Sequence, residues 1–404
     1  MHVPDGFINA PVSAASAVVA AAAVAVSLRG ARRELSGAGA PNDLGGDRTA
    51  PLAGLVAAFV FAAQMLNFPV ATGTSGHLLG GALAAVLVGP ATGVLCITVV
   101  LLLQGVLFAD GGLTALGVNV TVMGAVGVGT AYVLFRGLLA VLPRRRGSVT
   151  VATCVAAFAS VPASAAAFTL LYAVGGTTDV PIDAVLTAMV GVHALVGIGE
   201  AAITTLTVGA VLAVRPDLVY GARALVAPLK LRVGGELVDA RPADRAAALG
   251  LGAHRSPRFP RAVWLTGLAV AVALAGFVSY YASAEPDGLE KVAADEGFDG
   301  KAEEHATADS PLADYGIESI ADARLSGGLA GVIGVGATAA VGTGLFAVVV
   351  VRRRRGRGRG STAEVRPATG PAARPPIAEL GPGPGGGRAP GRPYPPPVDP
   401  GERA

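Results

Sequence analysis

Cysteine, charge and aromatic residues are all scarce in this chain of 404 residues. Two cysteines cannot build a disulfide framework, and Cys96 and Cys154 both fall inside apolar runs. There a small buried hydrophobe is the expected reading, so no thiolate metal site is expected. Charged residues make up only 15% of the chain, too few for the surface of a soluble globular protein of this length. The net charge of +3 is modest and its arginines are confined to a few segments, so no nucleic-acid partner is expected. No Gly-x-x-x-x-Gly-Lys-Ser/Thr phosphate loop occurs, so the chain cannot be its own ATPase. The absence of a His-Glu-x-x-His pattern argues against an intramembrane metalloenzyme. Nor is there a basic segment ahead of the first apolar run, as a cleavable signal peptide would need; its arginines (Arg29, Arg32, Arg33) follow it.

What the chain has instead is apolar length. Hydrophobic residues account for 52% of positions, and a helix needs about 20 of them to cross roughly 30 Å of hydrocarbon. Nine runs qualify or nearly so: 11–28, 51–66, 78–93, 94–108, 118–142, 149–174, 184–214, 262–281 and 329–351. The third and fourth form one apolar stretch broken at Gly89-Pro90, which reads as a tight turn between two short helices. The fold class is therefore an all-α polytopic membrane protein: a seven-helix bundle over residues 1–214, a polar linker at 215–261, a two-span hairpin at 262–351 and a tail at 352–404. The tail is rich in Arg, Gly and Pro, with too few apolar residues to offset ordering entropy, and is expected to be disordered; its first arginines can rest on lipid headgroups.

Loop charge sets the orientation. The segments 29–48, 136–146, 215–261 and 352–359 carry the arginines and should stay cytoplasmic, whereas 67–77, 109–117 and 175–183 hold no Lys or Arg. Nine spans then put the N-terminus outside and the C-terminus inside a bacterial inner membrane. The remaining outer loop, 282–327, carries twelve acids against three bases. It is either a plain solvated loop or a feature that attracts cations or docks a partner.

The residues that carry chemistry begin at the first position: Met1-His2-Val3-Pro4-Asp5-Gly6. A free Met1 amine, the His2 amide nitrogen and His2 Nδ1 can close two adjacent chelate rings. Three nitrogens in one plane leave a corner open. A planar nitrogen field suits Ni(II) and Cu(II), and Co(II) remains possible, whereas Ca²⁺ and Mg²⁺ want oxygen. Initiator methionine is retained when the next residue is as large as histidine. His77, at the start of the third run and on the same outer side, is the candidate for the fourth nitrogen, with Gly73 and Gly76 allowing close backbone approach. Pro4-Asp5-Gly6 reads as a turn folding the terminus into the bundle, with Asp5 as its cap or orienting group rather than a ligand. Gln64, Asn67 and Ser75 lie near the same mouth and are candidates to support the ligands. His193 and Glu200, two helical turns apart on one face of the seventh span, read as a polar pair or as a similar support. His254 and His305 look like ordinary loop histidines, although His305 in the acidic loop is placed to meet passing metal.

These segments resemble the CbiM/NikM substrate-capture components of energy-coupling-factor transporters for cobalt and nickel. The likeness rests on Met1–Phe7, on Ser75-Gly76-His77-Leu78-Leu79-Gly80-Gly81 and on residues 193–201, and it covers roughly residues 1 to 220. Pro286-Asp287-Gly288-Leu289-Glu290 resembles the PDGLE domain of the small accessory subunit, of CbiN/NikN type, here fused in one chain. The resemblance implies Co(II) or Ni(II) as transported substrate, no organic cofactor, and ligands at the Met1 amine, the His2 amide and imidazole, and His77. It also implies partners: a transmembrane coupling subunit and cytoplasmic ATPases, against which the Ala-rich first helix could pack. The rival reading is a metal-sensing membrane protein that binds the ion without moving it.

Overall fold

In a computed structural model, residues 1–35, 49–225, 230–233, 236–239 and 261–360 are described. The loop from 36 to 48, most of the linker after 225 including His254, and the tail from 361 lie outside the described residues. Helices α1 (Ala10–Glu34), α2 (Thr49–Gln64), α3 (Gly81–Val88), α4 (Pro90–Leu107), α5 (Leu116–Val141), α6 (Arg146–Gly175) and α7 (Ile182–Val214) form the bundle, and α8 (Arg261–Gly276) and α10 (Ala323–Gly360) form the hairpin. A short helix α9 (Gly288–Glu296) lies in the hairpin's loop. Among the described residues the only sheets are two-stranded, the first pairing β1 (Phe68–Ala71) with β2 (Thr74–Gly76). This is a multi-pass membrane protein: seven of its helices are long and apolar enough to cross a membrane.

Local sequence explains the helix ends. Asn9 accepts a hydrogen bond from Val12 N–H at 3.1 Å, with Pro11 in the first turn of α1, where its missing N–H costs nothing. The break at Gly89-Pro90 is real: Gly89 adopts φ 101°, which a residue with a Cβ rarely reaches, and Pro90 starts α4. The Glu34 carboxylate at the end of α1 accepts from Ala91 N–H at 3.1 Å and Thr92 N–H at 2.7 Å, so it satisfies two orphan donors at the start of α4. Within α5 the residues Val120–Gly127 widen into π-helix directly after Asn119.

The structure departs from two expectations. The runs 78–93 and 94–108 are not two short spans of similar length: α3 has eight residues, rising only about 12 Å, while α4 has 18 and is long enough to cross alone. Helix α3 can be this short because the chain ahead of it dives into the bundle as a buried loop. The second departure is Cys154, which lies exposed on the outer face of α6, while Cys96 is buried as expected.

The hairpin is packed onto the bundle. Helix α8 runs against α2 and α9 against α7. Leu289, Val292, Ala293 and Phe298 of the acidic loop are fully or almost fully buried, Phe298 edge-on to Phe7 at 5.2 Å between centroids. Burying each of the larger side chains contributes about 1.5–3 kcal/mol. The loop is thus docked through its apolar residues, while most of its acids stay exposed to solvent, and it packs against the N-terminus.

Candidate metal centre

The first residues run inward as a segment held in place by side chains of the bundle. Val3 N–H donates to Asn119 Oδ1 at 2.8 Å and Asn119 Nδ2 donates back to the Val3 carbonyl at 3.1 Å, so the side-chain amide imitates a neighbouring strand. Gly112 N–H also reaches the Val3 carbonyl, at 2.9 Å. Asp5 is buried and accepts from the N–H groups of Leu113, Thr114 and Ala115 and from the Thr114 hydroxyl, at 2.6–3.1 Å. It caps the turn leading into α5, a distant segment rather than its own turn, and Gly6 completes the chain reversal at φ 90°.

That anchoring delivers Met1 to His77. The Met1 nitrogen lies 2.6 Å from His77 Nε2, and both residues are buried. His77 Nδ1 donates to the Leu78 carbonyl at 3.0 Å, the partner that leaves Nε2 bare and facing the amine. The His2 ring stacks on the His77 ring, 4.9 Å between centroids and 7° from parallel. Its Nδ1 lies 2.9 Å from Asp110 Oδ1, and its buried Nε2 has no hydrogen-bond partner. Asp110 in turn accepts from the Tyr315 hydroxyl at 2.5 Å. Burial alone would raise the Asp110 carboxyl, but His2 and Tyr315 together hold it down at about 2.

The loop that carries His77 is clamped from below. Glu200, buried in the middle of α7, accepts from Leu79 N–H at 2.6 Å and Gly80 N–H at 3.1 Å. Gln64 donates to the Leu79 carbonyl at 2.9 Å. Gly80 stands at φ 77°, and a Cβ there would come within 2.6 Å of Val60, so the loop bends where only glycine fits. Glu200 lies 18 residues into α7, roughly 27 Å along it. His77 therefore lies recessed inside the bundle, not at the rim where the sequence placed it. His193 and Glu200 share a face but do not pair with each other: His193 Nδ1 donates to the Met189 carbonyl at 2.8 Å and its ring packs under Gly288.

Sequence reasoning overlooked three residues that touch this centre: Asn119, Asp110 and Asp287. Asp287, in the docked loop, lies 2.5 Å from the Met1 nitrogen as its ion-pair partner, 286 positions away in sequence. Ser75 secures that loop, its N–H and hydroxyl donating to the Pro286 and Glu285 carbonyls at 2.9 and 2.7 Å. Asn67 contributes through its carbonyl, which accepts from Ser283 N–H at 2.8 Å. A cavity of about 620 Å³ opens onto His2 and His77 and is walled by Asp287, Glu290, Glu303 and His305 from the acidic loop and by Asp110 and Asn67 from the bundle. His305 ties this wall to the bundle, its Nε2 donating to the Gly111 carbonyl at 3.2 Å.

The class these features define is a polytopic helical membrane protein in which the Met1 nitrogen and two imidazoles meet in a buried cluster beside a cavity with acidic walls. Residues 2–218 match the CbiM family, described as the cobalt uptake substrate-specific transmembrane region, and residues 261–351 match the PDGLE domain. The chain belongs to the CbiM family, here carrying a PDGLE domain, and its relatives include cobalt and nickel transport proteins. A putative metal transport protein of Haloquadratum walsbyi is 39% identical over 54% of this chain and 94% of its own length. A putative fused nickel transport protein, NikMN, of Archaeoglobus fulgidus is 33% identical over 64% of this chain and 85% of its own. A crystal structure of a truncated transition metal transporter aligns with 53% of this chain and 99% of its own, at 25% identity and a TM-score of 0.44.

Proposed function

We propose that this chain is the metal-capturing membrane component of an ATP-driven energy-coupling-factor transporter that imports Co(II) or Ni(II). The observation that carries the reading is the 2.6 Å approach of the Met1 nitrogen to His77 Nε2 beneath the stacked His2 ring. The ligands are the Met1 amine, the His2 amide and imidazole, and His77. As folded, His2 Nδ1 is turned to Asp110, so loading requires the imidazole to give up that contact before Nδ1 can join the chelate. A buried donor set dominated by nitrogen favours Ni(II) and Co(II) over the hard oxygen-seeking cations. Asp5, Asn119, Glu200 and Gln64 fix the two converging segments, and Ser75, Asn67 and His193 seat the loop that covers them.

Transport needs partners: a transmembrane coupling subunit and cytoplasmic ATPases that reorient the bundle in the inner membrane. Loop charge supports an N-terminus outside and a C-terminus in the cytoplasm. Cells expressing the chain with such partners should accumulate radioactive cobalt or nickel, and accumulation should vanish on His77→Ala or on inserting one alanine between Met1 and His2. Tight binding to the purified protein without any accumulation would make it a sensor instead.

A further inference from the structure

We infer that Asp287, supplied by the docked PDGLE segment, is itself a ligand of the captured ion, adding one carboxylate oxygen to the nitrogen set. This rests on the proposed N-terminal site and deepens it. Met1 N, His77 Nε2 and Asp287 Oδ2 are separated by 2.6, 2.5 and 3.6 Å. These separations place the three atoms on a circle about 1.8 Å in radius, so one ion at the roughly 2.0–2.1 Å usual for metal–nitrogen and metal–carboxylate bonds reaches all three from just off their plane.

The carboxylate is built for that position. Asp287 is the N-cap of α9, and its Oδ1 accepts from Leu289 N–H at 2.7 Å and Glu290 N–H at 2.9 Å. Glu290 returns the bond, taking Asp287 N–H at 2.8 Å. The capping box thus fixes the plane of the carboxyl and leaves Oδ2 as the oxygen aimed at the amine. A ligating carboxylate whose other oxygen is held by hydrogen bonds is the usual arrangement around metals. Charge favours it too. The ion displaces one proton from the Met1 ammonium and one from the His2 amide, so the loaded centre keeps a net positive charge beside Oδ2 and the attraction is retained. A counterion role alone would not require Oδ2 to lie within bonding reach of a shared ion with His77 Nε2. The closed cover follows from the same contact: the PDGLE loop binds the bundle and, once metal is present, binds the metal.

The test uses the full chain in detergent, loaded with Ni(II) and read by X-ray absorption at the nickel edge, with affinity from titration. Asp287→Asn and Asp287→Ser both keep a good helix cap, so the loop can still dock; thermal stability checks that it does. Loaded wild-type protein should lack the sharp edge feature of a four-coordinate planar ion. The variants should gain that feature and bind at least about tenfold more weakly. A planar edge feature already present in wild type, and unchanged in both variants, overturns the role of Asp287. His77→Ala keeps the two questions apart. If it binds nickel as tightly as wild type, the N-terminal site itself is wrong, whereas loss of binding in His77→Ala with an unchanged edge in the Asp287 variants removes Asp287 alone.

Discussion

Glu200 takes the Leu79 N–H at 2.6 Å across 121 residues, and so a carboxylate in the middle of α7 sets the height of His77 in the bundle. Removing it by Glu200→Ala leaves two buried N–H groups without acceptors, at a cost of about 1–3 kcal/mol each. The expected result is a lower thermal midpoint and a loss of metal affinity of about 10- to 100-fold, in line with losses of groups that orient ligands. Glu200→Gln, which can still accept, should sit between that variant and wild type. Equal affinity in all three proteins would show that the loop holds its shape without the clamp.

Asp5 makes a comparable prediction at the other converging segment. Its four acceptor contacts hold the start of α5 and the entry of the N-terminus together. Asp5→Ala should destabilise the protein by about 1–2 kcal/mol, the usual cost of a lost cap, and Asp5→Asn by less. Because the same contacts aim Met1 at His77, the alanine variant should also bind nickel more weakly. Thermal unfolding in detergent and metal titration on one preparation read both effects.

How far the site could be read from sequence follows from distance along the chain. Met1-His2 are adjacent and His77 sits in a glycine-rich stretch, so local chemistry and loop charge marked them. The span pattern likewise exposed the helices, because apolar length is a local property. Asp110 lay in a loop noted only for lacking bases; Asp287 stood in the motif that resembles the PDGLE domain, but nothing local shows that this carboxylate, among twelve in its loop, reaches the amine. Asn119 was hidden inside an apolar run for the same reason. The depth of His77 was misread because a buried loop and an eight-residue helix together do what a single span was expected to do.

Tyr315 links the loop to the bundle. Its hydroxyl donates to Asp110 and receives from Gln104 Nε2 at 3.0 Å, and its ring stacks on Phe108 at 4.8 Å. Tyr315→Phe keeps the stacking and removes the hydroxyl, leaving Asp110 short of a donor and Gln104 short of an acceptor. A loss of about 1–3 kcal/mol is expected. Protease cleavage within 299–322 should quicken in the variant if the hydroxyl pins the loop. Cleavage as slow as in wild type would assign the docking to the apolar contacts of Phe298 and Leu289 instead.

Acid should loosen protein kept free of metal in two windows. Burial first, and then the neighbouring Met1 ammonium, holds His77 below its ordinary 6.5. The unfolded chain therefore binds a proton below 6.5 that the folded one refuses, so stability falls as pH drops through that value. Burial pushes Asp287 up, but the Met1 ammonium and His77 outweigh it and hold the carboxyl well below 3.8; Asp110 is held at about 2. Stability from these two is present above about 3.8 and is lost as pH falls beneath it. Thermal midpoints measured from about pH 8 to about pH 3 should thus decline in an upper step and a lower one. His77→Asn, which cannot take up the proton, should shrink the upper step and leave the lower in place. An upper step of unchanged size in that variant would show that the neutral imidazole facing Met1 is not what the acid attacks.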